Sequence, residues 1–263
     1  DKFYVGANVN VHFTDQMKQS SFYEENTNTI SSGLKRYEFN NTTYTYGNGY
    51  SFQLGGIAKV TEELRIGASY QSPTVNSLND EFQQSLYSQY YDEDNILQNV
   101  NVNPGVITAY KTYKTVTPGS ITGSMSYIFG KKGLISLDYE RKDFSKTKFK
   151  DDEGSFAILN NYYKSELQAT NDIRVGGEYR IENISLRAGY RFINSPYKND
   201  AMIGDYNAVS AGFGYSYRTS RIDLGYTFAH QATKEYPISS GINNTNNIKS
   251  KNNIFNISYS VNF

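Results

Sequence analysis

The sequence has 263 residues with zero formal net charge at pH 7, no cysteine, no tryptophan, 25 tyrosines and 15 phenylalanines. The lack of cysteine excludes disulfide bonds, zinc–thiolate sites and thiol nucleophiles, and the neutral charge argues against nucleic acid as a partner. A transmembrane helix is excluded too, because no apolar run reaches the roughly 18 residues that it needs. A membrane β-barrel, a secreted β-sandwich and a β-rich adhesin all remain compatible with this composition.

Apolar and polar residues alternate with a period of two along ten segments, which predicts ten β-strands. The predicted strands cover residues 2–13, 48–60, 64–72, 119–129, 134–144, 171–181, 184–194, 207–218, 221–231 and 253–263. In the last strand, Phe255, Ile257 and Tyr259 share one face, whereas Asn256 and Ser258 share the other. One face of each strand therefore suits an apolar environment, and the other suits water or polar side chains.

The predicted connections alternate between short and long. Short turns are expected at Thr61–Glu63, Gly130–Gly133, Glu182–Asn183 and Thr219–Ser220, and long polar loops at 14–47, 73–118, 145–170, 195–206 and 232–252. Counted back from a periplasmic C-terminus, every short turn lies on the periplasmic side and every long loop lies outside, which is typical of outer-membrane barrels. We therefore predict an all-β fold, an antiparallel transmembrane β-barrel domain over residues 1–263, in the Gram-negative outer membrane.

Charged residues of both signs occupy the polar parity of neighbouring predicted strands. Because charge on the lipid face is unfavourable by about 2–4 kcal/mol at mid-depth for Arg or Lys, we expect these side chains to face the barrel interior and to pair there. The expected inward set is Arg65, Asp138, Glu140, Lys142, Asp172, Arg174, Glu178, Arg180, Arg187, Arg191, Arg218 and Asp223.

The long loop at 73–118 contains one predicted helix. Asn79–Glu81 is a suitable helix cap, and Phe82, Leu86 and Tyr90 follow at i, i+4 and i+8. This spacing predicts a short amphipathic helix with an apolar face.

Several hairpins resemble a known family when they are taken together. They are Tyr50–Val60 (YSFQLGGIAKV), Leu64–Pro73 (LRIGASYQSP), Thr117–Pro118 at the start of a strand, Arg191–Pro196 (RFINSP), Ser210–Tyr215 (SAGFGY) and Asp223–His230 (DLGYTFAH). Their order and spacing are similar to the C-terminal two-thirds of the FadL/TodX long-chain fatty acid and hydrocarbon transporters of Gram-negative outer membranes. The Asn- and Tyr-rich loops resemble the Bacteroidetes branch of that family.

The resemblance implies passive uptake of hydrophobic ligands such as long-chain fatty acids. Members of the family form fourteen-stranded barrels with an N-terminal hatch and an early kinked strand that opens a lateral gap. Ten predicted strands leave the hatch, about four strands and the kink without a counterpart, so we expect a fragment or truncated homologue. Alternatively, ten strands close into a narrower barrel by pairing the first strand with the last.

The partners and site residues expected from this resemblance are as follows. We expect contact with membrane lipid, a hydrophobic small-molecule ligand, recognition by the barrel-assembly machinery through Phe263, a monomeric state and no cofactor, metal or nucleic acid. A carboxylate ligand inside the barrel would favour arginine, whose guanidinium offers bidentate donors. The ligand-binding candidates are Arg174, Arg187, Arg191 and Arg65 inside, and Phe82, Leu86 and Tyr90 on the apolar face of the loop helix. Charge balance for the arginines and loop packing for the helix are the alternatives.

Three other functions stay open at this point. A non-specific porin and an adhesin would show the same alternation, and omptin-like outer-membrane proteases also have ten strands. The proteases use an Asp-x-His arrangement, whereas His230 follows Phe228 and His12 follows Asn10 at the corresponding position. General-base catalysis therefore lacks its local partner, and we do not expect an enzyme.

Overall fold

A computed structural model describes residues 2–28, 33–200, 202–235 and 246–262, and these residues form one antiparallel sheet. Its strands are β1 (Phe3–Glu25), β2 (Gly33–Lys59), β3 (Leu64–Gln71), β4 (Thr74–Tyr91), β5 (Leu97–Val102), β6 (Thr108–Ala109), β7 (Tyr113–Thr117), β8 (Ser120–Ile128), β9 (Gly133–Asp143), β10 (Lys148–Lys150), β11 (Ala169–Ile181), β12 (Ile184–Ile193), β13 (Ile203–Tyr217), β14 (Ser220–Glu235) and β15 (Asn246–Val261). One helix, α1 (Ala157–Glu166), and two 3-10 turns, Phe144–Lys146 and Lys198–Asp200, complete the described elements. Among the described helices, none has the length and apolarity needed to cross a membrane.

Ten of these strands pair in chain order as a meander, β1-β2-β3-β8-β9-β11-β12-β13-β14-β15, which confirms the ten predicted strands. The structure has all four predicted short turns, the last shifted by one residue from Thr219–Ser220 to Arg218–Thr219. In two of these turns, Glu182 (φ 49°) and Arg218 (φ 52°) have the left-handed backbone that tight hairpins require. Arg218 therefore lies in an exposed turn, with its guanidinium over the Tyr217 ring, and does not join the inward set.

The sheet is open along two edges. Within the described ranges, β1 pairs with β2 and β15 pairs with β14, and no pairing joins β1 to β15. The alternative of a closed ten-stranded barrel is therefore not observed. Phe263 and residues 236–245, where part of the last predicted loop falls, lie outside the described residues.

Most apolar side chains of the meander lie on the parity opposite the polar one and are exposed. Phe255 is 76% exposed and Ile257 is 78% exposed, and Val175 and Leu186 on central strands are also exposed. In the part of the chain that the structure describes, four apolar side chains are buried: Leu78, Leu167, Ala208 and Ala229. A soluble sandwich would bury its apolar faces against each other, so this arrangement fits a sheet whose outer face contacts lipid.

The hairpin β1–β2 is much longer than a membrane span. A transmembrane strand needs about 9–11 residues, whereas β1 has 23 and β2 has 27. The upper halves of both strands therefore extend beyond the bilayer on the side of the long connections. The predicted loop at 14–47 is wrong for most of its length, because residues 14–25 and 33–47 are strand. The sequence pattern missed these strands because both faces carry polar side chains, as at Thr42–Tyr44, and apolar residues do not alternate with polar ones.

Three strand paths break at one level of the sheet. Between β3 and β4 lies Ser72–Pro73, between β7 and β8 lies Pro118–Gly119, and between β9 and β10 lies the 3-10 turn Phe144–Lys146. The Ser72 side chain repairs the ladder there, because its Oγ accepts a 2.9 Å hydrogen bond from the backbone N–H of Phe52. Below the breaks, β3, β8 and β9 have 8, 9 and 11 residues, close to the length of a membrane span. Above the breaks, β4, β7 and β10 form an outer extension.

The helix predicted from Phe82, Leu86 and Tyr90 is wrong, because these residues lie in β4, an 18-residue strand. An i, i+4, i+8 spacing also places residues on one parity of a strand, so the pattern fitted both structures. Pairing with β2 decides between them, since Phe82 lies opposite Thr43 and Leu86 opposite Phe39.

The helix that does form, α1, lies in the predicted loop at 145–170. Its Asn160 side chain makes two hydrogen bonds with the backbone of Phe149 in β10. Nδ2 donates to the Phe149 carbonyl and Oδ1 accepts from the Phe149 N–H, each at 2.8 Å. This pair of bonds holds α1 against the outer extension.

Candidate functional site

An ion cluster lies on the polar face of the sheet, near the strand ends that lead into the long connections. It is formed by Glu140, Asp172, Arg174 and Arg191. Asp172 is 6% exposed. Its Oδ2 accepts from Arg191 Nη2 at 2.7 Å, and Arg174 Nε donates to the same oxygen at 3.1 Å. Arg174 also reaches Glu140 Oε2 at 3.1 Å. Two carboxylates thus balance two guanidiniums, and the cluster joins β9, β11 and β12.

A second cluster lies toward the short turns and is formed by Glu178, Arg180, Arg187, Arg221 and Asp223. Arg187 bridges β11 and β14: its Nε donates to Glu178 Oε2 at 2.6 Å and its Nη1 to Asp223 Oδ1 at 2.7 Å. Arg221 Nε donates to Asp223 Oδ2 at 2.8 Å, and Arg180 pairs with Glu178. Three guanidiniums meet two carboxylates here, so this turn-side cluster carries one excess positive charge.

Small residues separate the two clusters. Ser136, Gly176, Gly189 and Ser210 lie directly opposite one another on four neighbouring strands. A Cβ at Gly189 would approach Ser210 Oγ to 2.7 Å, so a larger residue here would require the Ser210 side chain to rotate away. A concavity of about 520 Å³ covers this row of small residues.

The predicted arginines are only partly brought together. Arg174 and Arg191 are direct cross-strand partners, whereas Arg187 belongs to the turn-side cluster, and all three are bound by carboxylates. Arg65 lies apart on β3 and, among the described residues, makes no side-chain hydrogen bond or ion pair; its buried Nε has no partner. Arg221 was missed by the sequence reasoning, although its parity, shared with Asp223, places it on the inner face.

The outer extension contains an aromatic cluster that the sequence did not predict. Tyr113 on β7 stacks on Phe149 of β10 at a ring-centroid distance of 5.9 Å, and Phe156 lies 5.5 Å from Tyr113 and 5.4 Å from Phe149. Tyr163 on α1 also stacks on Phe149, at a ring-centroid distance of 5.8 Å. Three of these rings come from the predicted loop at 145–170, where no periodic pattern marks them.

Hydrogen bonds fix the polar edge of the aromatic cluster. Tyr113 donates its hydroxyl to Asp80 Oδ2 at 3.0 Å, and Thr45 donates to Asp80 Oδ1 at 2.6 Å. Burial, and next the hydrogen bond to Asp80, raises the pKa of Tyr113 to about 12. Tyr113 is therefore a neutral donor throughout the physiological range.

The three loop candidates lie elsewhere in the outer extension. Phe82 and Leu86 are half-buried on β4, and Tyr90 is 37% exposed near the strand end. β4 pairs there with β2 on one side and with β5 and β6 on the other. None of the three side chains lines the space beside the aromatic cluster.

Comparisons with known proteins agree with this architecture. The family model for "Outer membrane protein transport protein (OMPP1/FadL/TodX)" matches residues 1–263. Curated protein sequences give no match. The crystal structure of the Ralstonia pickettii toluene transporter TbuX is 17% identical with a TM-score of 0.54, covering 100% of this chain and 64% of that one. At this identity the similarity shows the fold, and the chain spans less than two-thirds of TbuX.

Two further solved structures are similar at lower scores. They are the Pseudomonas putida toluene transporter TodX (15% identity, TM-score 0.47, 100% of this chain and 80% of that chain) and a Pseudomonas aeruginosa FadL homologue (11%, 0.44, 92% and 77%). The family model covers the whole sequence and decides the family assignment. The sheet agrees with it, since its apolar side chains are exposed and its charged side chains pair on the other face. The chain belongs to the OMPP1/FadL/TodX family of Gram-negative outer-membrane transport proteins.

Proposed function

We propose that this protein carries out the passive uptake of hydrophobic ligands, such as long-chain fatty acids or monoaromatic hydrocarbons, across the outer membrane. The observation that carries this proposal is the family match over residues 1–263. TbuX and TodX are described as toluene transporters and the third structure as a FadL homologue, so the proposal includes both ligand classes. Such ligands need a protein to take them past the polar outer surface, and the long outer extension provides the first surface that they meet.

Arg65 is the arginine that we propose as partner for a ligand carboxylate. Arg174, Arg187 and Arg191 already donate to protein carboxylates, and a ligand would have to displace those bonds. Among the described residues, the Nε of Arg65 has no hydrogen-bond partner. Two residues further along β3, Gly67 lines a concavity of about 480 Å³ together with Ile57. An apolar tail could lie over Ile57 while the carboxylate reaches the guanidinium.

We propose transport and not catalysis. His12 Nε2 lies 2.9 Å from Ser51 Oγ, which places a base beside a hydroxyl. No carboxylate contacts the His12 ring among the described residues, so the third group that would orient the ring in a hydrolytic triad is missing there. The His230 ring stacks against Phe228 at a centroid distance of 6.1 Å.

Binding and conductance of the purified chain test the proposed function. We expect labelled oleate or toluene to bind saturably in proteoliposomes, with no steady ion conductance in planar bilayers. Steady conductance without binding of either ligand would favour the non-specific porin and contradict the proposal.

Arg65 is tested by Arg65→Gln in the same oleate assay. Because a charge-assisted hydrogen bond is worth about 1.5–3 kcal/mol, the oleate Kd should rise about tenfold or more, whereas the toluene Kd should not change. Arg218→Gln in the exposed turn is the matched control and should leave both values unchanged. An unaltered oleate Kd in Arg65→Gln would exclude Arg65 as the carboxylate partner without excluding uptake.

A further inference from the structure

A cavity of about 500 Å³ opens beside the aromatic cluster of the outer extension, away from both ion clusters. Its volume lies within the range of roughly 300–1,000 Å³ that small-molecule sites occupy. Four aromatic residues line it, including Tyr110, and three of them pack together as an apolar wall: Tyr113, Phe149 and Phe156. Their mutual contacts at 5.4–5.9 Å hold the wall in place, and the Asn160 bonds to Phe149 fix β10 against α1.

The polar edge of the cavity is strongly acidic. Four carboxylates line it, those of Asp80, Asp151, Asp152 and Glu153, against one ammonium, that of Lys111. Lys111 pairs with Glu153. In the described part of the chain no cation pairs with the other three, and the donors to Asp80 are the neutral hydroxyls of Thr45 and Tyr113. The cavity therefore has a net formal charge of −3 at pH 7.

The carboxylate of Asp151 stays ionised because of its local hydrogen bonds. The backbone N–H of Ser155 lies 3.1 Å from Oδ1 and 3.2 Å from Oδ2. Hydrogen bonding from Ser155 lowers the pKa of Asp151 below its usual value. These hydrogen bonds thus favour the charged form of Asp151 at the edge of the cavity.

The lysines of β7 and β10 lie on the face of these strands opposite to Tyr113 and Phe149. Lys114 follows Tyr113 on β7, and Lys148 and Lys150 flank Phe149 on β10, so period-two alternation directs them to the face opposite the rings. These lysines consequently do not neutralise the cavity, and none of them lines it.

We propose that this cavity binds an organic cation that carries an apolar group, such as an aromatic or alkyl ammonium compound. Aromatic rings attract ammonium groups through their faces, and carboxylates at the edge add charge complementarity. A carboxylate-bearing ligand such as a fatty acid would be repelled here. A bare metal ion is disfavoured too, because no group of three His, Cys, Asp or Glu within the described residues could hold one. The proposal does not rest on Arg65 or on uptake.

Titration of the purified full-length chain with three matched one-ring probes tests this site. The probes are benzyltrimethylammonium, benzyl alcohol and benzoate, which share the ring and differ in charge. We expect the ammonium compound to bind at least tenfold more tightly than benzoate, with the alcohol between them. Raising the salt concentration to 0.5 M should weaken ammonium binding, because Asp152 and Glu153 at the edge are exposed and their charges are screened by salt. Equal binding of the ammonium compound and benzoate would overturn the proposal.

Variants locate the binding. The double variant Asp152→Asn/Glu153→Gln, at two exposed positions, should weaken ammonium binding about threefold to tenfold, whereas Asp94→Asn, at an exposed acid outside the cavity, should not. Phe156→Leu, which keeps an apolar side chain and removes the ring, should weaken it similarly and serves as a second test if the double variant misfolds. Unchanged affinity in both folded variants would contradict the site. Ammonium binding without oleate or toluene binding would refute the proposed function alone.

Discussion

Asp172 links two strands through a single buried side chain. Its oxygens accept from Arg174 on its own strand and from Arg191 on the neighbouring strand, where the backbones already pair. With one buried carboxylate serving two guanidiniums, its loss leaves both arginines with fewer partners. By contrast Asp138, on β9, makes no ion pair in the described structure although it lies opposite Arg174.

We expect Asp172→Asn to lower the free energy of unfolding by about 1–3 kcal/mol, the usual range for hydrogen bonds to a charged group. Urea unfolding in lipid vesicles, followed by tyrosine fluorescence, measures this change. Asp138→Asn is the matched control and should change the unfolding free energy by less than about 0.5 kcal/mol. Equal effects of the two substitutions would show that the ion cluster does not hold β11 to β12.

The hydroxyl of Tyr113 provides a pH-dependent contact in the outer extension. Its pKa, about 12 in the folded protein, exceeds the ordinary value of 10.0. A raised pKa means that the folded state favours the protonated phenol. The resulting stabilisation is fully present below pH 10 and is lost as the pH rises toward 12. Tyr113 should therefore ionise after most other tyrosines.

Difference titration of the wild type against Tyr113→Phe, by absorbance near 295 nm, isolates this group. We expect the difference to develop near pH 12, and we expect Asp80→Asn to move it to lower pH, since the hydrogen bond to the carboxylate is the second cause of the shift. A midpoint near 10 in the otherwise unaltered protein would show that Tyr113 is neither buried nor bonded to Asp80.

At the scale of elements, α1 depends on a side chain and not on its own sequence for its position. Its N-cap, Phe156, makes no capping hydrogen bond, and the helix has ten residues, fewer than isolated helices need for stability. Asn160 supplies the missing connection by closing two hydrogen bonds on the backbone of Phe149. The helix and β10 are therefore expected to open together.

Asn160→Ala should increase the hydrogen-exchange rate of the Phe149 amide by about tenfold or more, because the amide loses its acceptor and its strand loses a neighbour. Asn161→Ala, at the exposed neighbouring position on the same helix, is the control and should leave that rate unchanged. Amide protection that survives Asn160→Ala would mean that aromatic packing alone holds α1.

At the scale of the whole molecule, the protein is organised around a polar inner face and an apolar outer one. Of two neighbouring positions on one strand, one therefore tolerates a charged side chain and the other does not. On β8, Met125 is 47% exposed on the apolar face, whereas Ser124 points to the inner face and lies directly opposite Asp138. Charge at the first position would meet hydrocarbon; charge at the second would meet a carboxylate.

Met125→Arg should therefore lower the free energy of unfolding in vesicles by about 2–4 kcal/mol, the range for arginine on the lipid face near mid-depth. Ser124→Arg should change it by less than about 1 kcal/mol, since the new guanidinium can pair with Asp138. If the two substitutions were equally destabilising, or if Ser124→Arg were the worse, the assignment of inner and outer faces on β8 would be wrong.

By itself the sequence determined the ten strands, the four short turns and the face that each strand turns to lipid. These follow from a period of two, which is a local property, and from the solvent, which demands apolar side chains on one parity only. The inward charges could be named for the same reason. Arg218 is the exception, because it lies in the turn between β13 and β14 and not in a strand.

Only the tertiary structure decided the outer extension and the partners of the charges. Residues 14–25 and 33–47 are mostly polar on both parities, so cross-strand pairing and not a local pattern makes them strands. Phe82, Leu86 and Tyr90 fit helical and strand spacing equally, and pairing with β2 decides for the strand. Strand register likewise decided that Arg174, Arg187 and Arg191 are paired, whereas Arg65 has no ion pair within the described part of the chain. Contacts between residues distant in the chain depend on that register, which a single local pattern does not contain.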